Sequence, residues 1–388
     1  MILLVLVMAS AAMGAPALFL SEASAATTRK ATKKSARKSK KPKKRIPKAP
    51  PIDTRNLALP DDPKLPLETA WKAQISRFLG RERPEYAAFV ALHPASGRVL
   101  VISDRSVTPK TVAHPATSAM FPAASIFKMV TAAALIEEAG VPASTVTCYH
   151  GGGSRLAEEH IRDNRKRDTS CRSLTESFAH STNAVFAKLA LKHLGAQKLL
   201  KWGERLGFNQ DISWEGHNVR SVLERPVGDL TIGRTAAGFT NSSLAPLHAA
   251  MIAMVFANHG LIPAAFAAWF PGSTLIESND APAVHRVLSE STVDALRGMM
   301  VLAATGGTAQ RHLGSVTGGP AAVKTGTLSS RDGSGHLNTW MVGYYPATNP
   351  EFAFAAVVAT KGRVRAGHLT RFAIESFVHL SRARRRQP

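Results

Sequence analysis

Charged side chains are missing from the first twenty residues, MILLVLVMASAAMGAPALFL. A polar break follows this apolar run and leads to Ala-Ser-Ala at residues 23–25, a small-x-small pattern typical of signal-peptide cleavage sites. Residues 1–25 therefore predict a secretory signal peptide. The protein is expected in the periplasm or at the extracytoplasmic face of the inner membrane, and soluble once the signal is removed. The alternative is an uncleaved membrane anchor, because no Lys or Arg precedes the run and its length just suffices to span a bilayer.

Acidic residues are missing from residues 29–48, RKATKKSARKSKKPKKRIPK, which hold twelve Lys or Arg of a chain with net charge +22. Residues 26–66 as a whole are rich in Lys, Ala and Pro and poor in large apolar side chains, so they predict a disordered basic arm. The arm is either simply solvated or attaches the protein to anionic envelope polymers or lipid head groups. Nucleic acid, the general partner of such runs, is not expected behind an export signal.

Cysteine is scarce, and the two cysteines present are Cys148 and Cys171. In an exported protein such a pair is expected to form a disulfide, which would close a loop holding the stretches HGGG and EEHIRDNRKRD. On the loop-entropy model this closure contributes about 3 kcal/mol of stability. The alternative is two unrelated thiols in the core. The 14 histidines show no metal-ligand spacing, so no metal site is predicted.

Strand patterns lie at the two ends of residues 67–388, which form the predicted folded domain, and helical patterns lie between them. YAAFVALHP and VLVISD, joined by the turn ASGR, predict an antiparallel hairpin, and strand patterns return in AAVKTGT, LNTWMVGYY and EFAFAAVVAT. Helices are predicted for WKAQISRFL, SIFKMVTAAALIEEAG, LTESFA, NAVFAKLALKHLG, LLKWGERLG, PLHAAMIAMVFANHG, STVDALRGMMVLAA and RFAIESFVHLSR. This segregation predicts an α+β fold, with an antiparallel sheet built from both ends of the domain, flanking helices and an inserted all-helical lobe. A cleft is expected where the lobe meets the sheet.

Lys128 lies in the otherwise small and apolar stretch FPAASIFKM, three residues after Ser125. Residues at i and i+3 share a helix face, so the lysine amine can reach the serine hydroxyl. Burial would favour the neutral amine, which can accept the proton of an attacking serine, and the helix N-terminus would stabilise the developing negative charge. The S-x-x-K pattern alone is weak evidence, because the basic arm contains a second match from Ser35 to Lys38. The alternative for Lys128 is a surface lysine.

Two further stretches bring polar groups together. Residues 181–183, Ser-Thr-Asn, fall between two helical patterns, where the alternative is a simple helix N-cap. Residues 324–327, Lys-Thr-Gly-Thr, lie in a strand pattern and offer a cation, two hydroxyls and a glycine that lets a ligand approach the backbone. The alternative there is an edge strand with an exposed lysine.

S-x-x-K, S-x-N and K-T-G in this order are the signature of serine acyltransferases that react with penicillin. Over roughly residues 85–380 the chain resembles the transpeptidase domain of penicillin-binding proteins. The likeness extends to ALHPASGRVL, LTESFAHSTNAVFAKLA, APLHAAMIAMVFANHG, GGTAQ and TWMVGYYP. The resemblance implies a penicillin-binding fold and an acyl-enzyme formed with D-Ala-D-Ala stem peptides of peptidoglycan or with β-lactams. It implies no metal and no cofactor.

The resemblance also implies roles for the residues of the first two motifs. Ser125 would be the nucleophile and Lys128 its base. Ser181 would relay a proton to the departing D-Ala, and Asn183 would hold the substrate amide. An acceptor amine of a second stem peptide would then convert the acyl-enzyme into a cross-link.

The third motif would bind the peptide carboxylate. Lys324 would attract this carboxylate and help to keep the base neutral, and the hydroxyls of Thr325 and Thr327 would bind it beside Gly326. The backbone N–H groups of the nucleophile and of Thr327 would form the oxyanion hole. Val323 stands where the family often has Gly, which would narrow the cleft.

Three other functions compete with the transpeptidase interpretation. A D,D-carboxypeptidase would pass the acyl group to water, and the choice of acceptor depends on the shape of the cleft. A β-lactamase would need fast deacylation, but the chain contains no Glu-x-x-Leu-Asn stretch and its middle motif ends in Asn rather than Val. A non-catalytic β-lactam sensor or envelope protein would usually carry further membrane segments, and no long apolar run follows residue 20.

Overall fold

The computed structural model describes residues 66–386, except residues 109, 111, 278–281 and 331. The predicted signal peptide or anchor and almost all of the basic arm lie outside the described residues. None of the described helices combines the length and the apolar character that crossing a membrane requires.

The described residues form α-helices and strands that are numbered here in chain order. The helices are α1 (Leu67–Glu82), α2 (Lys128–Glu137), α3 (Glu158–Ile161), α4 (Leu174–Ala179), α5 (Asn183–His193), α6 (Gly195–Arg205), α7 (Asp229–Ala237), α8 (Pro246–Ala257), α9 (Glu290–Thr305), α10 (Gln310–Leu313) and α11 (Ala366–Arg385). The strands are β1 (Tyr86–Leu92), β2 (Val99–Ser106), β3 (Phe121–Pro122), β4 (Val146–Tyr149), β5 (Ser170–Ser173), β6 (Ile212–Trp214), β7 (His217–Val219), β8 (Val222–Leu223), β9 (Ser242–Leu244), β10 (Leu261–Pro263), β11 (Thr274–Ile276), β12 (Val284–Arg286), β13 (Ala322–Ser329), β14 (Leu337–Tyr345) and β15 (Phe352–Thr360).

A five-stranded antiparallel sheet with the order β13-β14-β15-β1-β2 organises the fold. The early strand β1 pairs with the late strand β15, and Tyr86 lies opposite Ala359. All nine residues of β15 are buried, which explains why its sequence is a continuous apolar run rather than an alternating one. The predicted α+β fold, with an antiparallel sheet built from both ends of the domain, is confirmed.

Apolar side chains form two cores, one on each face of this sheet. On the face toward the helical lobe, α8 is buried along its whole length, which explains why it is apolar on every side. On the opposite face, Trp71 of α1 packs against Phe89 and Phe352 and donates a hydrogen bond from Nε1 to the carbonyl of Ala373 in α11, at 2.8 Å. The sheet is therefore covered on both faces, and its edge strand β13 lies beside the lobe.

The helix predicted to run from Ser125 to Gly140 is shorter and begins differently. A 3-10 turn spans Ala124–Phe127, and the α-helix α2 starts only at Lys128 and ends at Glu137. Ser125 thus lies in the 3-10 turn, one turn before the α-helix. The helix predicted near Trp71 is longer than expected, because α1 begins at Leu67.

Helix α7 is not predicted by the sequence patterns. Its sequence DLTIGRTAA contains glycine and threonine, both of which weaken helix propensity. Gly233 faces α5, where an added Cβ would lie only 3.0 Å from the Cβ of Ala187. The small residue allows the two helices to approach closely, so packing rather than propensity stabilises α7.

Val323 does not narrow the cleft, so this part of the sequence interpretation is wrong. The side chain is fully buried in the core behind the sheet, together with Met341 and Phe354. Successive residues of a strand point to opposite faces, so the residue before Lys324 points away from the lobe.

Candidate active site

Ser125 is held in a tight turn between the lobe and the edge strand. The preceding Ala124 has φ +49°, a left-handed conformation that strains a residue with a side chain. Behind the turn lies Gly238, where a Cβ would come within 1.8 Å of the Ala124 carbonyl oxygen. In front of it lies Gly326 of β13, where a Cβ would lie 3.3 Å from side-chain atoms of Ala124 and Ile126. Two glycines therefore allow the backbone on either side to approach the candidate nucleophile.

Lys128 is fully buried and directed at Ser125. Its Nζ lies 2.9 Å from the Ser125 Oγ, 2.7 Å from the Asn183 Oδ1 and 2.7 Å from the carbonyl oxygen of Ala237. Burial, reinforced by the nearby charge of Lys324, holds the pKa of Lys128 well below its usual 10.5. The alternative of a surface lysine is therefore excluded by its burial.

A neutral Lys128 matches this set of neighbours. An amine has two N–H donors and one lone pair. Asn183 Oδ1 and the Ala237 carbonyl can accept the two donors, which leaves the lone pair for the hydroxyl proton of Ser125. The geometry is that of a serine with its general base in hydrogen-bond reach.

Lys324 and Ser181 form a second polar pair beside the first. Lys324 is fully buried on β13, and its Nζ lies 3.1 Å from the Ser181 Oγ and 2.8 Å from the carbonyl oxygen of Thr325. Burial lowers the pKa of Lys324 from 10.5 to about 7. Ser181 has φ +56°, a strained conformation that places its side chain between helices α4 and α5. The alternative of an exposed lysine on an edge strand does not apply, although β13 is indeed the edge strand.

Asn183 is fixed at both ends of its amide. Its Oδ1 accepts from Lys128, and its Nδ2 donates to the carbonyl oxygens of Gly152 and Gly153 at 3.1 and 2.6 Å. The expected contact of Asn183 with a substrate amide stays a prediction. The N-cap of α5 is Thr182, which makes no side-chain capping bond, so the Ser-Thr-Asn stretch is not a simple capping motif.

Thr325 and Thr327 differ in their surroundings. The Thr325 Oγ1 lies 2.6 Å from the Oγ1 of Thr308, which also lies 3.2 Å from the carbonyl oxygen of Ala179 and can donate to it. Thr327 is exposed at the edge of the sheet. Of the two hydroxyls, that of Thr327 is therefore the more accessible to a ligand.

The structure brings all three motifs into one site and adds groups that sequence reasoning missed. Lys128 and Lys324 interact electrostatically, and Gly326 packs on the Ser125 turn. The missed groups are the Ala237 carbonyl, Gly238 and Thr308. Only Thr308 carried a signal, since it belongs to the GGT stretch that precedes β13.

Cys148 and Cys171 form a disulfide that joins β4 to β5. The segment between them contains the glycines that bind Asn183, so the disulfide closes a loop that reaches the site. Among the described residues, no group of three or more His, Cys, Asp or Glu side chains could hold a metal ion.

A family model and a curated relative that match this chain both carry the name of a transpeptidase. A family model described as the penicillin binding protein transpeptidase domain matches residues 87–373. Among curated proteins, the chain is 25% identical to the peptidoglycan D,D-transpeptidase PbpA of Mycolicibacterium smegmatis, with 76% of this chain and 65% of that protein covered. The chain thus spans just under two thirds of the length of this relative.

Solved structures with the same fold include two penicillin-binding proteins. The apo transpeptidase domain of penicillin-binding protein 3 from Burkholderia pseudomallei has a TM-score of 0.62 at 16% identity, covering 83% of this chain and 94% of that one. Penicillin-binding protein 3 from Mycobacterium tuberculosis, complexed with aztreonam, has a TM-score of 0.63 at 19% identity, covering 82% and 77%. At these identities the likeness establishes the fold.

Proposed function

This chain belongs to the penicillin-binding protein transpeptidase family, and from that membership we propose that it is a peptidoglycan D,D-transpeptidase inhibited by β-lactams. The observation that carries the proposal is the 2.9 Å contact between the Ser125 Oγ and the Nζ of a fully buried Lys128. A buried, neutral amine next to a serine hydroxyl is the arrangement that activates a nucleophile for acyl transfer. The relative named peptidoglycan D,D-transpeptidase supports peptidoglycan as the substrate, and the proposed acyl donor is its D-Ala-D-Ala stem peptide.

Acylation begins when Ser125 attacks the carbonyl of the penultimate D-Ala. Its hydroxyl proton moves to Lys128, which becomes an ammonium and donates to the Asn183 Oδ1 and the Ala237 carbonyl oxygen. The negative charge on the tetrahedral oxygen is stabilised by the backbone N–H groups of Ser125 and Thr327, which act as the oxyanion hole. The Asn183 Oδ1 and the Ala237 carbonyl oxygen already lie within hydrogen-bond distance of the Lys128 Nζ, so protonation of Lys128 requires little reorganisation.

Release of the terminal D-Ala requires a proton on its nitrogen. Ser181 donates this proton and regains one from the Lys128 ammonium, which becomes a neutral base again, while the charged Lys324, whose Nζ lies 3.1 Å from the Ser181 Oγ, orients that hydroxyl. The charged Lys324 also attracts the carboxylate of the leaving D-Ala, which the hydroxyls of Thr327 and Thr325 bind. The amine of a second stem peptide then attacks the ester on Ser125 and forms the cross-link. The bond from the acyl carbon to the Ser125 Oγ breaks, and Lys128 takes the proton of the amine and returns it to this oxygen.

The test is intact mass spectrometry of residues 26–388 mixed with penicillin, followed over hours beside Ser125→Ala. We expect one persistent adduct on the wild type and none on the variant. An adduct that disappears while penicillin is consumed would instead indicate a β-lactamase. A folded wild type that forms no adduct would overturn the proposed mechanism. Incubation with a D-Ala-D-Ala peptide and an acceptor amine then separates cross-linking from carboxypeptidase activity.

We also propose that the protein is exported and acts in the periplasm, where peptidoglycan is found. The support is the uncharged run over residues 1–20 followed by Ala-Ser-Ala. N-terminal sequencing of the protein recovered from cells tests it. A chain that begins after residue 25 supports a cleaved signal, whereas a retained Met1 supports the anchor.

A further inference from the structure

The segment closed by the disulfide, residues 148–171, is called the disulfide loop here. It contains a buried charge network outside the catalytic groups. The Asp168 carboxylate accepts from the Nδ1 of His150 at 2.5 Å and from the Nζ of Lys188, on α5, at 2.6 Å. Lys188 also donates to the carbonyl oxygen of Cys148 at 3.1 Å. The Lys188 and Asp168 side chains are only 5% and 7% exposed, so solvent screens this ion pair less than it screens a fully exposed one.

Asp168 is the centre of this network. Burial alone would raise its pKa, but hydrogen bonds from the Asn164 N–H, Lys188 and His150 lower the pKa of Asp168 to about 2. Asp168 is thus ionised at neutral pH and accepts from His150 Nδ1. The other ring nitrogen of His150, Nε2, is buried and makes no hydrogen bond within the described part of the chain. The polar anchor of the His150 ring is therefore Asp168.

Three glycines follow His150, and the carbonyls of the second and third, Gly152 and Gly153, hold Asn183. Gly151 lies against His160, where an added Cβ would come within 2.6 Å of the His160 Nε2. Gly152 lies against Ala184 of α5, where a Cβ would come within 3.0 Å of the Ala184 Cβ. Gly152 is thus buried between the rest of the disulfide loop and α5, whereas Gly151 and Gly153 are exposed, and the position of these glycines depends on what holds the loop.

The disulfide loop contacts both helices that supply acceptors to Lys128. Asn183 lies at the start of α5, and its side-chain amide donates hydrogen bonds to two carbonyl oxygens of the loop. Ala237 lies at the end of α7, and Arg234 of the same helix donates from Nε and Nη2 to the Leu156 carbonyl oxygen at 3.1 and 2.9 Å. The loop therefore stabilises the two helix ends between which the Lys128 amine lies.

We propose that Asp168 is a positioning residue for acylation. By holding His150 and Lys188 together, it fixes the disulfide loop so that the carbonyls of Gly152 and Gly153 hold the amide of Asn183 with Oδ1 toward Lys128. With the amide in this orientation, Oδ1 stabilises the ammonium that Lys128 becomes when it takes the proton of Ser125. The inference rests on the proposed function and adds a group that touches neither substrate nor nucleophile.

The experiment compares the full chain with Asp168→Asn, which keeps the shape of the side chain and removes its charge. Acylation by a fluorescent penicillin is measured as a second-order rate constant from pH 5 to 9. We expect a loss of about tenfold or more at neutral pH, because small displacements of a catalytic group have large effects on rate. Glu375→Gln is the matched control, since it removes a half-buried carboxylate paired with Arg371 at 2.8 Å on α11. Its rate constant should equal that of the wild type.

The pH dependence separates positioning from general loss of structure. The charged group that faces Lys128 is Lys324 on β13. The titratable groups that face Asp168 are His150 and Lys188, and Lys188 is also paired with the exposed Asp163. Loss of the Oδ1 acceptor destabilises the Lys128 ammonium, so the acid limb of the profile should move to lower pH. A reduced rate with an unchanged acid limb would indicate mere loss of folded protein and would overturn the proposal, as would a wild-type rate.

A second variant and an NMR titration test the positioning role of Asp168 even if Asp168→Asn does not fold or the wild type forms no adduct. His150→Gln retains the Asp168–Lys188 ion pair, so it replaces Asp168→Asn if that variant does not fold, and it should shift the acid limb in the same direction. Lysine-labelled NMR titration follows Lys128 directly and needs no reaction with penicillin. If the wild type forms no adduct, the proposed function fails, yet the titration still decides this inference. A Lys128 titration that is the same in wild type and variant would overturn it.

Discussion

At the residue scale, two buried lysines with opposite requirements determine how the site responds to pH. Lys128 must be neutral to accept a proton, and Lys324 must be charged to attract a carboxylate. Burial lowers both pKa values, and the proximity of the two lysines lowers that of Lys128 further. Desolvation thus has two effects. It keeps Lys128 neutral, as a base must be, and it limits the pH range over which Lys324 stays charged.

We therefore predict a bell-shaped pH profile for acylation by penicillin. The rate constant should rise on the acid side as Lys128 loses its proton, and fall as the pH passes about 7, where Lys324 loses its charge. Stopped-flow fluorescence with a labelled penicillin gives the profile of the free enzyme. Lys324→Arg, which keeps its charge, should move the alkaline limb to higher pH. A rate constant that still rises at pH 9 in the wild type would contradict the role given to Lys324.

The buried charge of Lys324 also predicts a conflict between function and stability. Its folded pKa of about 7 lies below the unfolded value, so the unfolded state binds more protons between pH 7 and about 10. This contribution to the free energy of unfolding therefore rises with pH across that window, and below pH 7 the full cost of the buried cation is present. Lys324→Met should raise the free energy of unfolding at pH 6 by about 1–4 kcal/mol and abolish acylation.

Urea unfolding at pH 6 and pH 10 measures this effect. The gain from Lys324→Met should shrink toward pH 10, where the folded wild type no longer carries the charge. The exposed Lys361→Met serves as the control and should change the free energy of unfolding by less than about 0.5 kcal/mol at either pH. A destabilised Lys324→Met at pH 6 would show that the bonds to Ser181 and Thr325 outweigh desolvation.

At the element scale, the ends of α7 show how a helix without motif residues contributes to the site. Its last carbonyl accepts from Lys128, and the glycine after it supports the Ser125 turn. Such contributions are made by backbone atoms, which any sequence has. The S-x-x-K, S-x-N and K-T-G patterns could be read because their chemistry lies in side chains, whereas Ala237 carries no such signal.

The two glycines that flank α7 offer a matched test of this role. Gly238 has φ +85° and would place a Cβ 1.8 Å from the Ala124 carbonyl oxygen, whereas Gly228 has φ +79° and open space around it. Alanine at Gly238, a left-handed helical position with ψ 23°, incurs a backbone cost of about 1 kcal/mol, and alanine at Gly228, whose ψ of 152° lies in a region that essentially only glycine adopts, incurs a larger one. Only Gly238→Ala should also displace the Ser125 turn and lower the acylation rate constant by about a hundredfold.

The test measures the melting temperature and the rate constant of penicillin acylation for both variants. Both variants should melt at lower temperature than the wild type, and Gly228→Ala should react at the wild-type rate. Equal rates for Gly238→Ala and Gly228→Ala would mean that the turn can shift without loss of activity. The C-terminal end of α7 would then contribute to packing but not to the position of Ser125.

At the scale of the whole molecule, the sheet was predictable because its strands are long and apolar and lie at both ends of the domain. The helices α5 and α9 were predictable from their periodicity, and α8 was predictable from its long apolar run without Gly or an internal Pro. The short strands β6–β12 and the helix α7 were not, since their formation depends on neighbours that are distant in sequence. Likewise, the burial of Lys324 on an edge strand follows from the lobe that covers it, which no local pattern reveals.

The basic arm leads to a prediction for the complete chain. Residues 29–48 carry twelve Lys or Arg and no acid, and they precede a domain whose proposed substrate lies in an anionic envelope. Removing residues 26–56 should leave penicillin acylation unchanged but lower retention on isolated cell envelopes. The retention of the longer chain should fall steeply between low and high salt, because screening weakens attraction between exposed charges. If both chains are retained equally and without salt dependence, the arm is only a solvated spacer. If the longer chain is retained better at low salt, the arm binds the anionic envelope and so concentrates the catalytic domain near peptidoglycan.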